Sequence, residues 1–288
     1  MKISYILPLL LILIGFSAEQ SYSQNSGEPL FTEDLGVQMY SFRNVIPEIG
    51  IEPTLDYIRE HGITEIEGGS GDMSPEKFRE LCDERGIRIP STGAGYQLLI
   101  DNPIEVIERA KTLGSDYVMV SWIPHEVGNF SYENAAKAVI DFNETGEILK
   151  DHGLTLKYHF HGYELMEHAD GSLLDYMIQN TDPEYVSFQM DVFWVHFGGG
   201  DPAGLLRKYG DRWASLHLKD MEQGTEKDMT GLTDPETNVV LGTGEIDIEE
   251  IIRAAREVGI KHYFIEDESS RVLEQIPESI EYLRSLMK

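Results

Sequence analysis

The sequence predicts a (β/α)8 barrel of the α/β class from its length, the alternation of its segments and the places where its ionisable residues fall. At 288 residues the chain has room for one such barrel, a fold that commonly takes about 250. From residue 35 onward, short β-rich apolar runs alternate with amphipathic stretches. That rhythm argues for parallel strands joined by helical crossovers. The first run leads into Gln38-Met39-Tyr40-Ser41-Phe42-Arg43. An open doubly wound sheet would put a glycine-rich phosphate turn there.

The elements follow in order. Leu35–Tyr40 is the first strand, and Pro53 to Glu60 a helix stopped at His61-Gly62. Thr64–Gly68 is the second strand; Ser74-Pro75-Glu76 then opens a helix running to Gly86, with serine as N-cap and proline in the first helical position. Ile89–Gly93 and Tyr117–Ser121 flank a helix over Pro103 to Leu113, and Tyr132 to Lys150 is the next helix. Thr155–His159 and Val186–Asp191 are the fifth and sixth strands. Pro202 to Tyr209, Ala214–Leu218, Ile248 to Val258, His262–Glu266 and Val272 to Met287 complete the alternation. Met221 to Thr243, long and rich in Gly, Thr and Asp, reads as a loop over the face where the seventh strand ends, a common place for function.

Lys2, the apolar run Ile6 to Phe16 and the small and polar residues after it read as a signal peptide, so residues 1–23 are expected to be cleaved, near Ala18 or Ser23. Residues 24–34 are a flexible lead-in and 35–288 a single barrel domain, exported to the periplasm or beyond the cell. The apolar run is short for a membrane span, and none is expected in the mature chain. Cys82 is the sole cysteine, so no internal disulfide forms. Acidic residues number 51 against 23 basic ones, a formal charge of −28 that repels phosphate backbones. Nucleic acid is therefore excluded as a partner, and strongly anionic substrates are disfavoured. Nothing marks an interface, and a homo-oligomer stays open.

Barrel active sites lie at the C-terminal strand ends. Strand five ends in Tyr158-His159-Phe160-His161-Gly162-Tyr163-Glu164, strand six in Asp191, strand seven in His217-Leu218-Lys219-Asp220, and strand eight in Glu266-Asp267-Glu268. Four neighbouring strands thus bring imidazoles and carboxylates to one rim. Such a set suits one divalent Mn²⁺, Zn²⁺, Co²⁺ or Fe²⁺ ion better than Ca²⁺. An ion there would polarise a carbonyl and hold two adjacent oxygens while a carbon-bound proton is removed.

LGVQMYSFR at 35–43, GITEIEGG at 62–69, YHFHGYEL at 158–165, QMDVFWVHFGGGDP at 189–202, HLKD at 217–220, LGTGEIDIEEIIRAAREVG at 241–259 and YFIEDES at 263–269 together resemble the sugar phosphate isomerase/epimerase family, the xylose isomerase-like TIM barrels. The resemblance covers nearly the whole mature chain. It implies one metal ion held by Glu, Asp, His and Glu from strands five to eight. Asp191, His217 and Glu266 carry over onto the last three positions. The first ligand departs from the pattern: Glu164 is the favoured residue, with His159 and His161 as competitors. By the same resemblance Glu164 and Glu266 are the acid/base pair, with His161 and Lys219 as further catalytic groups. Gln38, Tyr40, His159, Trp194 and His196 are expected to bind the substrate, a small carbohydrate or keto-sugar. The expected reaction is isomerisation or epimerisation by proton abstraction beside a carbonyl, through a metal-stabilised enediolate. The alternatives are a lyase or hydrolase acting on 3-keto-glycosides, and a non-catalytic sugar-binding barrel.

Overall fold

The computed structural model describes residues 34–286. The expected export segment, and all but the last residue of the lead-in, lie outside the described residues. Eight parallel strands close into a barrel: β1 (Leu35–Gln38), β2 (Glu65–Glu67), β3 (Arg88–Gly93), β4 (Tyr117–Val120), β5 (Thr155–His159), β6 (Val186–Asp191), β7 (Trp213–Leu218) and β8 (His262–Ile265). Each matches an expected run, two of them residue for residue and the others with ends moved by at most two residues. β8 closes on β1 through Leu35↔Tyr263 and Val37↔Ile265.

The main helices are α1 (Ile51–Glu60), α2 (Pro75–Glu84), α3 (Pro103–Leu113), α4 (Tyr132–Asp151), α5 (Leu173–Asn180), α6 (Pro202–Tyr209), α7 (Ile248–Val258) and α8 (Val272–Ser285). α5 has no counterpart in the sequence reading. Its start is nevertheless encoded: Ser172 and Asp175 form a reciprocal capping box, and Leu173, Leu174, Met177 and Ile178 bury one face. The small hairpin just before it, Glu167–His168 with Gly171–Ser172, interrupts the helical rhythm. Among the described residues no helix is long and apolar enough to cross a membrane.

Strand side chains alternate between the two faces of the wall. Ile66, Val118, Leu156, Phe188, Leu216 and Ile265 are buried on the outer face, beneath the helices. The inner face is polar in its middle layer, where Lys157 Nζ meets Glu67 Oε1 at 3.1 Å and Ser215 Oγ at 3.0 Å. Tyr117 and Phe264 lie below, their ring centroids 5.3 and 5.5 Å from that ammonium. Phe264 fits because residue 36 is glycine; a Cβ there would come within 2.5 Å of its ring. Burial opposes charge on both members of the Lys157–Glu67 pair. Lys157 and His217 nevertheless hold the Glu67 carboxyl well below the usual range. This layer is the floor on which the site is built.

Candidate metal centre

Register sets the upper layer. His159 pairs with Gln189 across β5 and β6, and Asp191 with His217 across β6 and β7. Ligating atoms of His159, Asp191 and His217 lie within 4.8 Å of one another, and all three residues are buried. Glu266, just beyond β8, joins through His217: its Oε2 is 2.7 Å from Nδ1 of that ring. Despite this closeness the two atoms lack hydrogen-bond geometry, and Asp191 Oδ2, His217 Nδ1 and Glu266 Oε2 make no hydrogen bond. Buried polar atoms rarely stay unpaired. Asp191 Oδ2 and Glu266 Oε2 lie 3.9 and 2.7 Å from the same His217 Nδ1, an arrangement that a shared cation would satisfy. Two imidazoles with two carboxylates suit Zn²⁺, Mn²⁺, Co²⁺ or Fe²⁺.

The outer groups orient these ligands. Gln189 Nε2 donates to Glu67 Oε2 at 2.6 Å, which turns Gln189 Oε1 toward His159 Nδ1 at 3.1 Å. That oxygen only accepts, so Nδ1 of His159 carries the proton and Nε2 keeps its lone pair. His217 Nε2 lies 3.1 Å from Glu67 Oε2, the carboxylate–histidine arrangement that fixes a metal-binding ring. Asp191 Oδ1 caps the short helix Val192–Phe197 by accepting from Phe193 N at 2.8 Å, which leaves Oδ2 for the site.

Charge follows from this crowding. Burial disfavours a charged His217, but Glu266 and Glu67 outweigh it and raise the imidazole to about 10. Burial also raises Asp191 to about 7, helped by the negative charge of Glu266. Glu266 itself is held well below its ordinary value, because Lys219 and His217 overcome its burial. The centre thus holds a proton where the carboxylates call for positive charge, and a metal would displace it.

Above the cluster opens a pocket of about 1050 Å³, lined among others by His161, Trp194, Lys219 and Glu268. A family model described as the xylose isomerase-like TIM barrel matches residues 55–286. The chain belongs to that family. Inosose dehydratase of Salmonella typhimurium (strain LT2) is 27% identical over 216 residues, covering 65% of this chain and 70% of the relative. Inosose dehydratase of Geobacillus kaustophilus (strain HTA426) is 35% identical over 204 residues, covering 61% of this chain and 65% of its own length. In structure, a sugar phosphate isomerase/epimerase from Parabacteroides distasonis superposes with a TM-score of 0.72 at 23% identity, covering 89% of this chain and 96% of that one. The IolI protein with a bound zinc atom superposes with a TM-score of 0.68 at 17% identity, covering 88% of this chain and 96% of that one.

Within this xylose isomerase-like barrel, the expected residues divide. Asp191, His217 and Glu266 come together, and His159 stands with them. Glu164 does not. Gly162, at φ +88°, turns the chain outward, and a Cβ there would strike the Trp194 carbonyl oxygen at 2.4 Å. Glu164 therefore lies behind the wall, accepting from the Tyr158 hydroxyl and from His161 N. It stands apart from the ligand cluster and is not among the pocket residues. His161 lines the pocket with a buried, unpartnered Nδ1, and burial lowers its pKa to about 3. Lys219 Nζ sits 2.5 Å from Glu268 and 5.2 Å from the Trp194 ring centroid.

Gln38 and Tyr40 line the mouth. His196 is not among the pocket residues; its Nε2 is 2.8 Å from Glu245 and 2.7 Å from Lys227 Nζ. Sequence reasoning missed Glu67 and Gln189. A signal existed: Glu65 and Glu67 share parity in a strand, and two acids facing a barrel interior need partners.

Proposed function

We propose that this chain is a metal-dependent enzyme that removes a proton from the carbon beside a keto-sugar carbonyl. One observation carries the reading: Asp191 Oδ2 and Glu266 Oε2 close on His217 Nδ1 at 3.9 and 2.7 Å, none of the three making a hydrogen bond, with His159, His217 and Glu266 lining the pocket. His159, Asp191, His217 and Glu266 would hold the ion. When bound, it would supply Lewis-acid polarisation of the carbonyl.

The chain's own groups supply the rest. His161, kept neutral by burial, lines the pocket and accepts the carbon-bound proton on its imidazole. The Lys219 ammonium, steadied by Glu268, offsets negative charge developing on substrate oxygen. Trp194 forms the apolar wall behind both, its ring centroid 5.4 Å from that of His161. The enediolate then either takes the proton back on the former carbonyl carbon, giving an isomer, or expels the oxygen substituent of the carbon β to the carbonyl, which leaves with the proton that His161 took up.

Elimination is the favoured outcome, because the curated relatives carry the name inosose dehydratase, a water-eliminating activity on a keto-polyol. Export, as the N-terminal segment suggests, would fit a glycoside substrate better than a sugar phosphate.

The test is metal content followed by product analysis with inosose and 3-keto-glycosides. Stoichiometric metal and a product lacking water, or two products from a glycoside, support elimination. An isomer of unchanged mass supports the isomerase outcome. No metal uptake from Zn²⁺ or Mn²⁺ sinks the mechanism and favours a sugar-binding barrel.

A further inference from the structure

The pocket has two halves of different chemistry. Its histidines, its lysine and its glutamates stand on or beyond β5 to β8, around the metal centre. The half on and beyond β1 to β4 presents Met39, Tyr40, Ile46, Ile51, Met73 and Met119. Among the described residues only Arg43 and Asp72 bring a formal charge to that half. Arg43 is already engaged: its Nη2 lies 3.3 Å from Glu268 Oε2 and donates to the Glu268 carbonyl at 3.1 Å. An anion there would have to compete with Glu268.

Two large apolar side chains line this cavity without being covered, Tyr40 at 56% exposure and Leu232 at 54%. Tyr40 is nevertheless held in place. Gln38 Oε1 accepts from its N–H at 3.2 Å, Arg43 Nη1 donates to its carbonyl at 3.1 Å, and the Arg43 guanidinium carbon sits 4.4 Å from its ring centroid. One face of the ring is thus backed by a cation, which makes it a fixed platform. Leu232 comes from the opposite wall. Its neighbour Gly231 lies so close to the β5 loop that a Cβ would meet His161 Cβ at 3.0 Å, and β5 stands across the closed barrel from β1.

Uncovered apolar groups in a concave surface mark a ligand wall. The three methionines narrow the ligand further, because thioethers adapt in shape and make favourable contacts with aromatic rings. The backed tyrosine offers the same ligand a stacking face.

We propose that the β1–β4 half of the pocket is an aglycone subsite, in which Tyr40, Leu232 and the methionines hold an uncharged aromatic group borne by the keto-sugar. The inference deepens the proposed function and takes the keto-sugar from it. In a 3-keto-glycoside that loses its C2 proton, the anomeric carbon is the one β to the carbonyl. The C1–O bond breaks as C1=C2 forms and the carbonyl is restored, and the phenol leaves with the proton that His161 took up.

Calorimetry on the full chain incubated with Zn²⁺ tests the subsite with unreactive probes. These are phenyl, 4-carboxyphenyl and methyl β-D-glucoside, which lack the carbonyl that makes C2 acidic. Phenyl glucoside is expected to bind about tenfold tighter than methyl glucoside, and tighter than the carboxyphenyl one. Tyr40→Ala and Leu232→Ala are each expected to weaken the phenyl probe about three- to tenfold, with the methyl probe and the metal stoichiometry unaffected. Tyr40→Phe, which keeps the ring, should bind as wild type does. A wild type that binds phenyl and methyl probes equally, or neither, overturns the proposal. So does a phenyl preference that survives in both alanine variants, or a carboxyphenyl probe that binds tightest. Metal uptake without a phenyl preference defeats the subsite alone. A phenyl preference lost in the variants, with no metal uptake by wild type, defeats the proposed function and leaves the subsite standing.

Discussion

Two acids buried at the same rim, Glu266 and Glu164, have opposite fates because they lie on opposite faces of the wall. Glu266 points inward, where Lys219 and His217 overcome its burial and keep it ionised. Glu164 lies outward behind β5, where burial dominates and lifts its carboxyl to about 7 despite hydrogen bonds from Tyr158 and His161. Burial alone does not mark a functional carboxylate; the charges sharing its cavity do. The same division runs along β5, where His159 faces the cluster and Tyr158 packs against Phe142 and Phe188 on the helix side.

The sharpest way to break the contrast is to remove an inner ligand. Asp191→Ala and His217→Ala are expected to lose bound metal, with affinity falling more than 100-fold, beyond the 10–100-fold typical of outer-shell changes. Metal analysis after dialysis checks this. Retention of stoichiometric metal in both variants would remove the inner face's claim to be a metal centre.

His161→Gln separates chemistry from metal binding. Turnover is expected to fall about 10²- to 10⁴-fold, the usual worth of a general base, with metal content unchanged. Parallel kinetics and metal analysis decide it, and unchanged turnover would return the base role to Glu266 alone.

Much of this was legible beforehand. Eight strand positions followed from apolar runs, and Asp191, His217 and Glu266 followed from strand ends. The position of Glu164 did not, because parity is defined only while the strand lasts, and β5 ends at His159. Beyond it Gly162 at φ +88° redirects the chain, and a count by twos loses meaning. His159 was readable by parity as an inward residue; its rank above Glu164 needed the closed barrel.

Glu67 shows how the floor supports the site above it. Glu67→Gln leaves Lys157 buried without its counter-charge, and a loss of about 3 kcal/mol is expected. It also weakens the support to His217 Nε2, so metal affinity should drop about 10–100-fold. Adding Lys157→Met should restore stability but not metal affinity. Chemical denaturation and metal titration of the three proteins separate the two effects, and recovery of both together would mean that the floor acts only through folding.

The smallest effect on activity is expected at Glu164, where the contrast makes its clearest demand. Glu164→Gln should leave metal content and turnover unchanged, since the side chain faces Tyr158 and not the pocket. Its signature is in stability. The folded pKa, about 7, lies above the ordinary 4.5, so the folded protein keeps a proton that the unfolded chain has already released. The corresponding stability is fully present below pH 4.5 and is lost as the pH rises through 7, a change of about 3 kcal/mol. Glutamine does not titrate, so the variant should gain on wild type by about that amount between pH 4.5 and 8. Urea unfolding of both proteins across the range measures it. A difference flat in pH, or a loss of turnover in the variant, would put Glu164 back among the working carboxylates and undo the distinction between the two faces.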